Sequence, residues 1–211
     1  PHHTTDPAPA YQPPSDALPR LAQSLATHRA AAIGVGVIRQ GRLVWQGVTG
    51  EAGPGTPATV DTMFNVASLA KPVTAEVALR LVEAERFSLD EPMSITWIDP
   101  DLAADPRHRT FTLRRALSHQ LGLPNWRGDR KDGKLAFIAE PASGFTYSGE
   151  GYEYLHRFME KKTGQPFEQL AAQTVFAPLG MTSTTYSAEP RFANRTAQPM
   201  NKEGQFRPAD L

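Results

Sequence analysis

Residues 64–74 read Phe-Asn-Val-Ala-Ser-Leu-Ala-Lys-Pro-Val-Thr, and the proline in this run constrains the fold more than any other residue of the chain. Pro72 has no N–H to give, so an α-helix tolerates it only in the first turn. The apolar residues that follow, Val73, Val77, Ala78, Leu81 and Val82, recur at helical spacing. A helix over about 68–85 is therefore expected to begin at Ser68 with one face buried. The Gly-, Pro- and Thr-rich stretch 51–62 ahead of it reads as a loop.

That placement has chemical consequences. Ser68 and Lys71 stand at i and i+3, on one helix face, where the amine can reach the serine oxygen and take its proton. Burial and the positive end of the helix dipole both oppose a lysine charge in this position. The spacing alone fits a Ser N-cap followed by a solvated Lys better, and it is the context of loop, proline and apolar run that favours the chemical reading.

The chain has 211 residues, enough for one substantial domain with a proper core. Its 22 basic side chains balance 22 acidic ones, so no nucleic-acid partner is indicated. No apolar run approaches the length of a membrane span, and the opening Pro-His-His-Thr-Thr shows no signal peptide. With no cysteine, disulfides and thiolate metal sites are excluded. The six histidines have no ligand-like spacing, so neither a metal nor a cofactor is expected.

Residues 1–14 are rich in Pro, Ala and Thr and read as a disordered lead-in or tag remnant, leaving 15–211 as one domain. Ser15 or Asp16 can cap a helix running to about residue 29, with Leu18, Leu21, Ala22 and Leu25 on one face. Ile33, Val35 and Val37 alternate with glycines, turn at Gln40-Gly41 and return through Leu43 to Val48, as a β-hairpin does. Helix and hairpin thus fill 15–50. Region 62–181 is mainly helical, with further helices at about 113–118, 151–162 and 166–175. A lone hairpin is marginal in water. Either the segment after Met181 supplies short strands, or the sheet is completed beyond Leu211, by a second chain or by a homo-oligomer.

Two further clusters stand out. Tyr147-Ser148-Gly149-Glu150-Gly151-Tyr152 carries a phenol in a glycine-flanked loop entering a helix, which by itself also fits an ordinary turn. Leu117-Ser118-His119-Gln120-Leu121-Gly122-Leu123-Pro124 reads as a helix end with a Gly C-cap and a Pro stop. His119 in it reads as a structural histidine. Together with Phe64–Lys71, Thr163-Gly164-Gln165-Pro166-Phe167 and Pro178-Leu179-Gly180-Met181, these clusters resemble the serine β-lactamase-like hydrolases. The nearest types are class C β-lactamases, D-alanyl-D-alanine peptidases and related esterases.

The resemblance implies an α+β fold, β-lactamase/transpeptidase-like, with an antiparallel sheet, flanking helices and a mainly helical subdomain. It implies that Ser68 attacks a carbonyl to form an acyl-enzyme, with Lys71 and Tyr147 sharing the general-base role. The Ser68 N–H would supply half of an oxyanion hole. It also favours a periplasmic or secreted location. The substrate would be a small ester, an amide or a D-amino-acid peptide, bound near Gly149, Glu150 and Trp126.

The match breaks in two places. The family's Tyr-x-Asn is Tyr147-Ser148-Gly149 here, which removes an amide that holds acylamino substrates, and Glu150 adds a negative charge beside it. Both departures place an ester first, a D-amino-acid peptide second and a β-lactam third. The family's Lys/His-x-Gly strand is also missing: Lys162-Thr163-Gly164 reads instead as a helix end with a Gly C-cap, so the C-terminal strands are expected to be absent. A non-catalytic binding or scaffold protein retaining the fold, or an inactive fragment, is the competing reading.

Overall fold

The computed structural model describes residues 11–208. Most of the expected lead-in lies outside that range, and 11–14 carry no regular secondary structure. The chain divides into two compact units, 1–65 with 188–211 and 66–187.

In the first unit, helix α1 (Ala17–His28) precedes an antiparallel hairpin of β1 (Ala32–Arg39) and β2 (Arg42–Gly53). Gln40 and Gly41 both have positive φ, 51° and 74°, as a two-residue hairpin turn requires. The register runs from Ala32 opposite Gly50 to Arg39 opposite Arg42, with an irregularity between Val37 and Ile38. Of the expected apolar face of α1, only Leu25 is buried, and Asp16 makes no side-chain cap.

The loop expected at 51–62 is partly strand. β2 continues to Gly53 and pairs with a two-residue strand, β3 (Thr56–Pro57), giving the sheet order β1-β2-β3. The reason is non-local. The Ala52 carbonyl accepts from the N–H of Gln198, and that of Ala31 from the N–H of Glu51, so distant backbone overrides a Gly-rich local sequence. The segment after Met181 contributes isolated bridges, Met63 with Thr196 and Met200 with Phe206, rather than strands.

The second unit is helical and holds the chemistry. A 3₁₀ turn, Ala67–Leu69, leads into α2 (Ala70–Glu83). Three 3₁₀ turns and α3 (Leu113–Leu117) follow, then α4 (Gly149–Thr163) and α5 (Phe167–Ala171), which continues as a π-helical turn over Ala172–Phe176. The helix expected over 166–175 is therefore two kinds of helix in series.

The core joins Val77, Ala78 and Leu81 of α2 to Leu155, Phe158 and Met159 of α4 and Leu170 of α5. Phe111 packs edge-on to Tyr154 at 5.1 Å. Burial of these side chains, worth about 1.5–3 kcal/mol each, fixes α2 against α4. α4 starts two residues before the expected 151 because Ser148 caps it, accepting from the N–H of Gly151 at 2.7 Å. It ends on Gly164, a left-handed C-cap with φ 71°, and Lys162 pairs with Glu91. Lys162-Thr163-Gly164 is a helix terminus.

Candidate active site

The structure brings three of the sequence-predicted residues together. Lys71 Nζ donates to Ser68 Oγ at 3.1 Å, and the Tyr147 hydroxyl lies 2.8 Å from the same oxygen. The Lys71 ammonium stands 5.0 Å from the centre of the Tyr147 ring and 5.5 Å from that of Tyr152. Hydrogen bonding to Lys71, and then to Ser68, holds the Tyr147 phenol below its usual pKa despite some desolvation.

Ser68 sits in the 3₁₀ turn rather than in the α-helix, and it is exposed; the buried face of α2 begins at Thr74. Ala67 just before it has φ 45°, a left-handed conformation that costs a non-glycine residue about 1–2 kcal/mol. Such strain clusters at functional turns.

Tyr147 is placed by the junction between residues 119–127 and the start of α4. The N–H of Ser148 donates to Nδ1 of His119 at 3.1 Å, so this nitrogen carries no proton. Burial, aided by the charge of Lys71, lowers the His119 pKa and favours that neutral ring. The imidazole lies against Tyr147 at 4.7 Å and Tyr152 at 5.0 Å. Ser148 Oγ donates to the Pro124 carbonyl at 2.7 Å. The N–H of Gly149 donates to Asn125 Oδ1, and that of Glu150 to the Asn125 carbonyl, each at 3.0 Å.

Around Ser68 and Lys71 opens a cavity of about 250 Å³ whose walls include Trp126, Gly149, Tyr152 and Glu153. Two of the expected substrate-side residues, Gly149 and Trp126, line it. A Cβ on Gly149 would fall 2.7 Å from Trp126 Cη2 and 2.8 Å from the Asn125 carbonyl, so position 149 admits only glycine while the indole lies there.

Glu150, the third, points elsewhere. Its buried carboxylate accepts from Arg127 at 2.8 Å, and Arg127 also reaches Asp99 at 2.8 Å and Asp101 at 3.3 Å. The carboxylate lines a separate cavity with Trp97, Asp99 and Arg127. Its expected charge toward the substrate is thus neutralised by a partner 23 residues earlier in the chain. Hydrogen bonding to Glu150 in turn holds Arg127 more firmly protonated.

Sequence reasoning missed the polar floor of the Ser68 cavity, Thr74, His156 and Tyr186. Thr74, one turn past Lys71, was within reach of the helical spacing; His156 and Tyr186 have no local signal. Among the described residues no group of three or more His, Asp or Glu can hold a metal ion, and no helix is long and apolar enough to cross a membrane.

The beta-lactamase family model matches residues 19–210. The chain belongs to the beta-lactamase family. It is similar to esterase EstB of Burkholderia gladioli, 32% identical over 190 aligned positions that cover 74% of this chain and 48% of the relative. It is also similar to the D-alanyl-D-alanine-carboxypeptidase/endopeptidase AmpH of Escherichia coli K12, at 26% identity, covering 72% of this chain and 46% of the relative. The chain therefore spans about half the length of the curated relatives it matches. Among solved structures, D-alanine carboxypeptidase AmpC from Burkholderia cenocepacia superposes with TM-score 0.76 over 93% of this chain and 58% of that one, at 23% identity. That likeness speaks to the fold, which is β-lactamase/transpeptidase-like, here with a small antiparallel sheet and helices. The chain's curated relatives carry esterase and penicillin-binding-protein names.

Proposed function

We propose that this chain carries the nucleophilic machinery of a serine hydrolase that forms an acyl-enzyme on Ser68, acting first on esters. The observation that carries the reading is the convergence of Lys71 Nζ, at 3.1 Å, and the Tyr147 hydroxyl, at 2.8 Å, on one serine oxygen. In the acylation step Ser68 Oγ bonds to the substrate carbonyl carbon while its proton passes to the Tyr147 oxygen or the Lys71 amine. Hydrogen bonding to Lys71 and to Ser68 holds the Tyr147 phenol below its ordinary pKa, which favours the phenolate that would take this proton. The Ser68 N–H, in the turn that opens α2, would donate to the developing oxyanion. The same base then returns its proton to the leaving alcohol or amine as the carbonyl–leaving-group bond breaks, and water repeats the attack on the ester.

The preference for esters rests on the cavity wall. Where Tyr-x-Asn would place an amide, Gly149 offers no polar group, and Trp126, 45% exposed, fills the space beside it. An acyl group without an amide loses nothing there, whereas an acylamino group leaves its polar atoms unpaired. D-amino-acid peptides stand second and β-lactams third.

The test is turnover of p-nitrophenyl acetate, a D-alanyl-D-alanine peptide and a penicillin, with the acyl-enzyme trapped by acid quench. The expected result is ester hydrolysis with the acetyl group recovered on Ser68. Ester turnover that survives Ser68→Ala, or an acyl group on another residue, would overturn the reading.

A further inference from the structure

The turn that carries the nucleophile has little apolar packing of its own. Leu69 is 73% exposed, Ser68 and Pro72 are exposed, and the buried face of α2 starts only at Thr74. Pro72 also has no N–H for the Ser68 carbonyl behind it. What touches this turn from below is polar. Tyr186 Oη donates to the Ala70 carbonyl at 2.8 Å, between Ser68 and Lys71 in the chain. Thr74 Oγ1 lies 3.0 Å from Tyr186 Oη and 3.0 Å from His156 Nε2.

The protons in this chain of contacts can be placed by elimination. A carbonyl only accepts, so Tyr186 spends its single proton on Ala70. The contact between Tyr186 and Thr74 then needs the Thr74 proton, and the contact between Thr74 and His156 needs a proton on Nε2. The alternative, Thr74 donating to Ala70 at 3.3 Å, leaves the shorter Thr74–Tyr186 contact without a proton. The result is one directed chain, His156 Nε2–H to Thr74 to Tyr186 to the Ala70 carbonyl, tying α4 and the segment after α5 to the nucleophile turn.

The members of this chain are themselves fixed. His156 stacks on Phe167 with ring centres 3.9 Å apart, and Tyr186 meets the same ring edge-on at 4.8 Å. Burial pushes the His156 imidazole down to about 4, so it is neutral near pH 7 and carries one ring proton, as the chain requires. Thr74 is buried. Yet all three groups line the Ser68 cavity, so the chain lies directly beneath the reacting atoms.

We propose that His156, Thr74 and Tyr186 act as positioning residues, a directed hydrogen-bond chain that sets the distance between Ser68 and Lys71 by holding the Ala70 carbonyl. The proposal rests on the serine-hydrolase reading above. It assigns these residues no contact with substrate. It does assign them an effect on rate, because displacing reacting groups by about 1 Å can cost on the order of 100-fold.

The test uses the whole chain and a fluorophosphonate probe, whose phosphorus takes Ser68 Oγ as fluoride leaves. Labelling rates by intact mass are compared with thermal midpoints, at a temperature where circular dichroism shows every variant folded. Tyr186→Phe keeps the ring and removes only the terminal proton; it should slow the limiting labelling rate about 10-fold without weakening probe affinity. Thr74→Val should do the same, and Thr74→Ser, which keeps the hydroxyl, should restore the wild-type rate. A folded Tyr186→Phe protein that labels as fast as wild type, with only a lower midpoint, would overturn the proposal and leave a purely structural role. Wild type and Ser68→Ala labelling alike would overturn the serine-hydrolase reading and this proposal with it.

Discussion

The two halves of the candidate site are built differently. The half that carries Tyr147 is zipped along its length: Pro124 and Asn125 accept from Ser148, Gly149 and Glu150, while Arg127 locks the buried Glu150 and Asp99. The half that carries Ser68 is an exposed 3₁₀ turn preceded by a left-handed alanine, anchored from beneath through Ala70. The phenol is thus held by redundant bonds and the nucleophile by few. Damage to the first half should appear mainly as lost stability, and damage to the second as lost rate.

Four substitutions or conditions sharpen that contrast. Ser68→Ala should remove ester turnover by about 1000-fold or more while leaving the thermal midpoint near wild type, since an exposed hydroxyl contributes little to packing. Arg127→Ala should do the reverse. It strands two buried carboxylates and should cost about 3–5 kcal/mol in denaturant unfolding of the unit 66–187. If the cost falls below about 1 kcal/mol, the junction is not held by this ion cluster. Tyr147→Phe is the exception in the first half, since it removes the reacting phenol and none of the bonds that brace it: a loss of about 100-fold in turnover, read by steady-state kinetics, with unfolding little changed because the phenol is exposed.

The smallest effect concerns pH. His156 has an ordinary pKa of 6.5 and about 4 in the fold, where burial, helped by the Arg157 and Lys71 charges, outweighs the opposing charge of Glu160; Glu153 faces its Nδ1 at 3.9 Å. Between these values the unfolded chain binds the extra proton. The contribution is complete above pH 6.5 and is lost as pH falls toward 4, with a ceiling of about 3 kcal/mol. Urea unfolding of wild type and His156→Phe across that window should show the slope in the first and its loss in the second.

What was legible in the sequence was local. Pro72 and the apolar spacing after it located α2, and the i, i+3 spacing set Lys71 beside Ser68. The hairpin turn was written in Gln40-Gly41. The pairing of Glu150 with Arg127, the polar floor from Thr74 to Tyr186 and the extension of β2 to Gly53 were not legible, because each depends on partners 20 to well over 100 residues apart. Ala67 is a different case: alanine disfavours positive φ, so its conformation reflects what the turn demands rather than what the residue prefers. Position 149 shows the two levels meeting. The sequence marks a missing amide, and the structure supplies the cause in the indole of Trp126 and the carbonyl of Asn125.

The central claim is that Lys71 and Tyr147 activate Ser68, and the most direct measurement is the rate of fluorophosphonate labelling at Ser68 from about pH 5 to about pH 10. The account predicts a single adduct on Ser68 whose rate rises through one ionisation below the ordinary phenol value of about 10, and that this rise vanishes in Tyr147→Phe. A folded protein that takes no adduct, or labels at a rate independent of Tyr147, would contradict it.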